Sequence, residues 1–216
     1  MVPADTRLGA CVAGTTKFIC IGLNYADHAS ELEFKPPEEP LVFIKAPNTV
    51  TGDGQTSVRP NNVEYMHYEA ELVVVIGKTA RKVSADAAAS FIAGYALANE
   101  VSLAEESFYR PAIKAKCRDG FCPIGSLAPV DSVDNLTIIT EINGREADSW
   151  NTGDLQRNAA ELLSALSEFA TLNPGDAILI GTPHARVTLQ PGDRVRILAE
   201  GFPALENPVV AEGELA

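Results

Sequence analysis

Cysteine and histidine are scarce in this sequence, and their positions exclude two kinds of site. The four cysteines are Cys11, Cys20, Cys117 and Cys122, none of them in a CxxC pair. This number is too small to staple a chain of 216 residues, so the pattern indicates free thiols in a reducing compartment. Only three histidines occur, and none stands at ligand spacing from a cysteine. A structural zinc site is therefore not expected.

Positive charge and long apolar runs are also in short supply. The chain has 17 Lys and Arg against 29 Asp and Glu, which gives a net charge of −12 that is spread along the sequence. This balance argues against a nucleic-acid partner. No apolar stretch approaches the roughly 20 residues that span a bilayer, and the N-terminus lacks the order of a secretory signal. We therefore predict a cytoplasmic protein that binds no membrane.

What the sequence does contain is a series of short strands and turns. The runs "FICIGLNY" (18–25), "LVFIKAP" (41–47) and "ELVVVIGK" (71–78) are typical of buried strands. The segment "NLTIITEING" (135–144) ends in Asn-Gly and predicts a hairpin. Two Pro-Gly-Asp turns each lead into another strand. Such a pattern indicates an α+β fold that is mostly antiparallel sheet, and the length favours one domain.

Helices are few. The segment "SADAAASFIAGYALANE" (84–100) predicts a short helix capped by Ser84, with a strand from Gly94. A longer helix is predicted in "NTGDLQRNAAELLSALSEFATL" (151–172), with Asn151 or Thr152 as its cap. Its apolar stripe recurs at three- and four-residue steps, and Pro174 with Gly175 ends it. The stripe consists of Leu155, Ala159, Leu162, Leu163, Leu166 and Phe169 or Ala170.

One apolar strand begins with two acids. In "HYEAELVVVIGK" (67–78), Glu69 and Glu71 project from the same face of the strand, and His67 shares that face if the strand begins early enough. Two nearby carboxylates repel each other unless a cation lies between them, and their oxygens suit Mg²⁺, Mn²⁺ or Ca²⁺. The alternative is a pair of exposed residues at a strand end. A third oxygen ligand from another strand would favour a metal site.

Six blocks carry a family resemblance. They are "CIGLNYADHASEL", "FIKAPNTVTGDG", "HYEAELVVVIGK", "GYALANEVS", "KCRDGFCP" and "NPGDAILIGTP", in that order. Together they resemble the fumarylacetoacetate hydrolase family over about residues 17 to 210. The resemblance implies a mixed β-sandwich or roll with few helices. It also implies an N-terminal extension at 1–16 and a single catalytic domain at 17–216.

The same resemblance implies a divalent-metal site that binds Mg²⁺ or Mn²⁺. Glu69 and Glu71 match the paired metal carboxylates of the family. Glu100 stands where the family usually places an Asp. The replacement keeps the charge but adds a methylene, so the third metal–oxygen bond requires an adjusted backbone or a different ligation mode.

Proton transfer and substrate binding are implied as well. His28 and Glu31 match a proton-transfer pair, and Lys116 matches a catalytic lysine. For each lysine and histidine the simpler alternative is a surface or loop residue. The implied substrate-binding residues are Tyr25, Lys45 and Thr182. Three further residues could serve an anionic substrate, since guanidinium groups pair with carboxylates; they are Asn24, Arg110 and Arg118.

The resemblance further implies an activity on a small anionic 2-oxo acid. The blocks are most similar to family members that act in 4-hydroxyphenylacetate catabolism, as decarboxylases or isomerases of an unsaturated 2-oxo di- or tricarboxylate. An acylpyruvate hydrolase or an oxaloacetate decarboxylase is the alternative enzyme. The early and late parts of the chain resemble different halves of a two-half enzyme. A catalytically silent partner subunit is therefore the third hypothesis, and the expected assembly is a homodimer or a dimer with a homologous subunit.

Overall fold

The computed structural model describes residues 17–25, 38–104, 112–128, 130–183 and 187–214. Its strands are β1 Phe18–Gly22, β2 Leu41–Lys45, β3 Val50–Thr51, β4 Ser57–Arg59, β5 Met66–His67, β6 Ala70–Ile76, β7 Ile92–Asn99, β8 Ser102–Leu103, β9 Cys122–Pro123, β10 Thr137–Ile142, β11 Arg145–Asn151, β12 Ala177–Leu179, β13 Arg194–Ala199 and β14 Leu205–Ala211. The helices of the same residues are α1 Ala85–Ala88, α2 Ile113–Lys116 and α3 Ala159–Phe169, with 3-10 turns at Pro47–Thr49, Ala89–Phe91 and Thr152–Asp154.

Two five-stranded sheets form the body of the fold. The first has the order β2-β1-β12-β6-β7, and the second has the order β11-β10-β13-β14-β4. Most pairs are antiparallel, whereas β1–β12, β14–β4 and β3–β9 are parallel. The predicted α+β class, mostly β with few helices, is confirmed.

Strand β6 lies inside the first sheet and is buried along its whole length. Its even-numbered side chains, such as Leu72 and Val74, belong to the larger core cluster together with Leu162 and Leu166 of α3. Its odd-numbered side chain Val73 packs into a second cluster, on the opposite face of the sheet. Because both faces are covered, the strand reads as a continuous apolar run. The prediction of a buried strand at 71–78 is confirmed, although the strand ends at Ile76.

The predicted buried strand at 41–47 is an edge strand instead. Strand β2 hydrogen-bonds to β1 and ends the order of its sheet. Leu41 and Ile44 are exposed, while Lys45 at the end of the strand is buried. The apolar run therefore does not reflect burial of the whole strand. The strand predicted from Gly94 also begins earlier, at Ile92, and Ser84 forms no side-chain cap bond on α1.

The long helix is shorter than predicted and has a different cap. Helix α3 begins after Asn158, whose Oδ1 accepts from Glu161 N at 3.0 Å, while Asn158 N donates to Glu161 Oε2 at 2.9 Å. This reciprocal capping box fixes the helix start. Asn151 caps the preceding 3-10 turn instead, by accepting from Gly153 N. Leu155 lies before the helix, and Phe169 is 68% exposed, so neither extends the buried stripe.

The predicted turns occur where expected. Residues Asn143 and Gly144 both have positive φ, at 52° and 75°, between β10 and β11. This conformation is the one that Asn-Gly favours in a two-residue hairpin. The two Pro-Gly-Asp turns lead into β12 and β13. No described helix is long and apolar enough to cross a membrane. The division into an extension at 1–16 and one domain at 17–216 stays a prediction.

Candidate metal and active site

Three buried carboxylates meet where β6 and β7 run side by side. Glu69 precedes β6, Glu71 is its second residue, and Glu100 follows β7. Strands β6 and β7 are antiparallel, and Glu100 N donates to Glu69 O at 2.8 Å. One carboxylate oxygen from each acid lies within 4.8 Å of the others. Since the three residues are only 1–5% exposed, the alternative of exposed acids at a strand end is wrong.

Two lysines face this cluster. Lys45 Nζ at the end of β2 donates to Glu100 Oε1 at 3.1 Å, and its side chain is fully buried. Lys116 Nζ at the end of α2 lies 3.0–3.1 Å from both oxygens of Glu69 and 3.3 Å from both oxygens of Glu100. It also donates to Ser102 Oγ at 2.6 Å. Both lysines that the resemblance singles out are therefore part of one ionic network.

Each carboxylate also receives a hydrogen bond from a separate group. His67 Nε2 lies 2.8 Å from Glu69 Oε1. Gly181 N donates to Glu71 Oε2 at 2.7 Å. Glu100 Oε1 accepts from Lys45 Nζ. Gly181 has φ of +98°, and a Cβ at this position would lie 2.8 Å from Ile21 O. Only glycine brings its amide this close without strain. Such donors fix the orientation of acids that ligate a metal.

The electrostatics differ among the acids. Burial raises the pKa of Glu69, but Lys116 and His67 outweigh it and hold that pKa well below its usual range. Burial, followed by the Glu100 and Glu69 carboxylates, raises the pKa of Glu71 well above its usual range. Burial lowers the pKa of Lys116, but Glu100 and Glu69 outweigh it and leave the pKa raised. Negative charge is therefore least compensated at Glu71.

This donor set fits a hard divalent cation. Three carboxylates supply the oxygen ligands that Mg²⁺ and Mn²⁺ prefer. Burial, and then repulsion by Glu100 and Glu69, raises the pKa of Glu71, and a nearby cation would favour its ionised form. With all three acids ionised, as they are when they ligate a cation, the two ammonium groups balance two of the three charges and leave one for the ion to neutralise. Glu69, Glu71 and Glu100 are thus the residues that could hold the ion.

A small cleft opens beside the ionic network. Its volume is about 370 Å³, and its lining includes Phe43, Ile44, Ile113 and Lys116. The Lys116 ammonium lies 5.3 Å from the centre of the Phe43 ring. A cation beside apolar walls suits a small organic anion.

The remaining expected residues occupy varied positions. Thr182 follows Gly181 and is half-buried. Tyr25 is buried, its hydroxyl has no hydrogen-bond partner among the described residues, and burial raises its pKa. Asn24 bonds the backbone of Arg157 and Ile180 through its side chain and so joins two chain segments. Arg118 Nε donates to Lys114 O. His28, Glu31 and Arg110 lie outside the described residues.

Three residues that contact the acid cluster are only weakly indicated by the sequence. The alternation of 67, 69 and 71 places His67 beside the acids but gives it no role. The glycine of "IGTP" and the serine of "NEVS" have no pattern that would reveal an amide donor to Glu71 or a hydroxyl acceptor for Lys116. Gly181 reaches the site only through the pairing of distant segments, whereas Ser102 lies two residues beyond Glu100.

Comparison with known families identifies the family of this chain. The family described as fumarylacetoacetate (FAA) hydrolase C-terminal matches residues 17–210. The chain belongs to the fumarylacetoacetate hydrolase family. This is a family of enzymes, and the resemblance seen in the sequence is confirmed.

Relatives within the fumarylacetoacetate hydrolase family include isomerases, decarboxylases and hydrolases. The 4-hydroxyphenylacetate degradation bifunctional isomerase/decarboxylase of Salmonella dublin is 68% identical over 181 residues, which cover 84% of this chain and 42% of that protein. This chain therefore spans less than half the length of that relative.

Solved structures of family members share the fold. The 5-carboxymethyl-2-hydroxymuconate delta-isomerase of Mycobacterium smegmatis has a TM-score of 0.82 and 36% identity, covering 93% of this chain and 80% of that one. The fumarylpyruvate hydrolase of Pseudomonas aeruginosa, in complex with Mn²⁺ and pyruvate, has a TM-score of 0.83 and 29% identity, covering 92% and 91%. The fumarylacetoacetate hydrolase-like fold is thus confirmed.

Proposed function

We propose that the chain is a divalent-metal-dependent decarboxylase and isomerase in 4-hydroxyphenylacetate catabolism. Its substrate would be an unsaturated 2-oxo di- or tricarboxylate, as for 5-oxopent-3-ene-1,2,5-tricarboxylate decarboxylase or 2-hydroxyhepta-2,4-diene-1,7-dioate isomerase. The observation that carries this proposal is the buried cluster of three carboxylates with Lys116 among them. The 68% identity to a bifunctional isomerase/decarboxylase supports the choice of reaction.

Glu69, Glu71 and Glu100 would hold Mg²⁺ or Mn²⁺. When bound, such an ion acts as a Lewis acid that stabilises negative charge on the oxygens of a 2-oxo acid. The protein contributes the burial of the cluster, which strengthens electrostatic interactions by excluding water. The added methylene of Glu100 does not remove its oxygens from reach of the other two acids.

Lys116 and Lys45 prepare the site for an anionic substrate. Lys116 borders both the acids and the cleft, so its ammonium can donate to a substrate carboxylate or to a developing oxyanion. Its raised pKa keeps it protonated. Lys45 is buried against Glu100 and holds that acid in place. Thr182 and Tyr25 complete the proposed substrate-binding set.

His28 and Glu31 are the proposed proton-transfer pair, by resemblance to the family. The imidazole of His28 would deliver a proton to a substrate carbon, and Glu31 would fix its tautomer and basicity. Protonation after loss of CO₂ completes decarboxylation. Transfer of a proton from one substrate position to another gives isomerisation.

The test combines metal binding with product analysis. Metal-stripped protein is titrated with Mn²⁺ and with Mg²⁺ by calorimetry, beside a Glu100→Asp variant, and CO₂ release and isomerisation are then followed on the tricarboxylate and diacid substrates. Saturable one-site binding with either reaction supports the proposal. Binding only by Glu100→Asp would favour the silent partner subunit. Absence of binding in both proteins would refute a metal-dependent enzyme.

A matched variant separates binding from turnover. Lys116→Met removes an ammonium that lies within 3.3 Å of four carboxylate oxygens. Because this change increases the local negative charge, we expect Mn²⁺ affinity to be retained or to rise while turnover is lost. Wild-type turnover by Lys116→Met would exclude the proposed catalytic role.

Hydrolysis of an acylpyruvate is the second candidate function. It is favoured by the likeness to the Pseudomonas aeruginosa fumarylpyruvate hydrolase. The same metal site could polarise the acylpyruvate, with water activated by the His28–Glu31 pair. Release of pyruvate without CO₂ would identify this reaction.

A cytoplasmic location and a dimeric assembly are also proposed. A homodimer contains two copies of this chain, whereas the alternative assembly pairs it with a homologous subunit. The two assemblies therefore differ in composition and in mass. Light scattering of the purified chain, alone and with a co-expressed homologue, distinguishes them. A monomer that turns over its substrate would refute a required dimer.

A further inference from the structure

His67 lies next to the acid cluster. Neither the family resemblance nor the known relatives give this residue a role. Its Nε2 lies 2.8 Å from Glu69 Oε1, and the residue is 2% exposed. Both oxygens of Glu69 also lie at hydrogen-bond distance from the Lys116 ammonium, which can only donate, so the carboxylate is the acceptor and the hydrogen shared with the ring lies on Nε2. The contact is therefore a donation from the ring to Glu69.

The ring is held from several directions. Strand β5 pairs with β8, so that His67 lies opposite Ser102, and His67 also forms a bridge with Thr188. The ring of Tyr65 stacks on the imidazole, with centroids 5.4 Å apart and planes inclined by 28°. Few alternative rotamers are open to a buried ring packed in this way. The donor to Glu69 is consequently fixed in position.

The contact between Lys116 and Glu69 is nearly symmetric. Lys116 Nζ lies almost equally far from its two oxygens, at 3.1 and 3.0 Å. This contact does not distinguish one oxygen of the carboxylate from the other. The like charges of Glu71 and Glu100 would also repel it. The His67 contact is made to Oε1 and therefore distinguishes it from Oε2.

We propose that His67 is a positioning residue, whose Nε2–H fixes one oxygen of Glu69 so that the carboxylate is oriented to bind the divalent ion. The inference rests on the proposed metal site and deepens it. Groups that hydrogen-bond to metal ligands contribute about 10- to 100-fold to metal affinity. His67 therefore acts through Glu69 rather than on the substrate.

Two substitutions separate the donor from the ring. His67→Phe keeps an aromatic ring against Tyr65 but removes the donor. His67→Gln keeps an N–H donor at a similar reach but removes the ring. If donation is what matters, the first variant should bind Mn²⁺ about 10- to 100-fold more weakly, whereas the second should remain within about threefold of the unsubstituted chain.

The experiment measures Mn²⁺ affinity by calorimetry and the electron paramagnetic resonance spectrum of bound Mn²⁺, together with the thermal midpoint of each metal-free protein. Weak binding and an altered spectrum in His67→Phe alone support the proposal. Unchanged affinity in His67→Phe, or equal weakening in both variants, would overturn it and assign His67 to packing. If the unsubstituted chain binds no Mn²⁺, both this inference and the proposed function fail.

Discussion

Replacement of Lys45 by Met offers the sharpest test of how the acid cluster is stabilised. The two side chains of the Lys45–Glu100 pair are 0% and 1% exposed, and they lie 3.1 Å apart. Breaking a buried pair by removing one partner costs about 3–5 kcal/mol, because a buried charge is left uncompensated. Lys116 remains 3.3 Å from Glu100, so we expect the lower end, about 3 kcal/mol.

The assay is urea unfolding of the metal-free proteins, followed by circular dichroism. The double variant Lys45→Met/Glu100→Gln removes the stranded charge, and we expect it to recover at least half of the lost stability. The control is Lys82→Met, because Lys82 and Glu168 form an exposed pair at 3.7 Å. Exposed pairs contribute about 0–1 kcal/mol, so this control should change stability little.

Bound Mn²⁺ provides a second test of the same prediction. An ion at about 100 times its Kd stabilises a protein by about 2.7 kcal/mol. In Lys45→Met the ion would also compensate the buried negative charge of Glu100. Its stabilising effect should therefore exceed that in the unsubstituted chain. A loss below about 1 kcal/mol in Lys45→Met, well under the expected range, would refute the reasoning. So would a double variant no more stable than the single one.

Three further substitutions test other parts of the structure. Glu71→Gln should stabilise the metal-free protein and abolish Mn²⁺ binding, because burial and two neighbouring carboxylates raise the Glu71 pKa; urea unfolding with and without Mn²⁺ measures both effects, and weaker metal-free stability would contradict it. Gly181→Ala should lower stability by about 1–3 kcal/mol and weaken Mn²⁺ binding, since φ is +98° and the new Cβ would meet Ile21 O; an unchanged unfolding midpoint would argue against strain. Asn158→Ala should cost about 1 kcal/mol through loss of the α3 cap while Mn²⁺ affinity stays constant, whereas a change in affinity would link α3 to the site.

Local chemistry made parts of the fold predictable. The Asn143–Gly144 turn and the two Pro-Gly-Asp turns form because their residues favour the required backbone angles. The strand at 70–76 follows from a continuous run of apolar residues. The sequence pattern places the start of α3 too early, because Asn151 and Asn158 are both good caps. Only Asn158 is followed by a Glu at the third helical position, which completes the capping box.

The site was predictable in its acids and less so in their partners. Same-face alternation places Glu69 and Glu71 together, but Glu100 joins them through the pairing of β6 with β7. The edge position of β2 and the burial of Lys45 depend on which strands are neighbours. Gly181 reaches Glu71 across 110 residues of chain. Such contacts are set by tertiary packing, which no local pattern encodes.

The fold and the proposed chemistry are linked through the charge of the cluster. A sheet interior is a costly place for three carboxylates, yet two lysines and separate donors to each acid are built around them. Full neutralisation by lysines would leave no attraction for a divalent ion, and no lysines would leave the metal-free chain unstable. With all three acids ionised to ligate a divalent ion, the two ammonium groups leave one net negative charge, and the ion would make the cluster positive by one. Once the ion is bound, this charge would favour the anionic 2-oxo acid that is the proposed substrate.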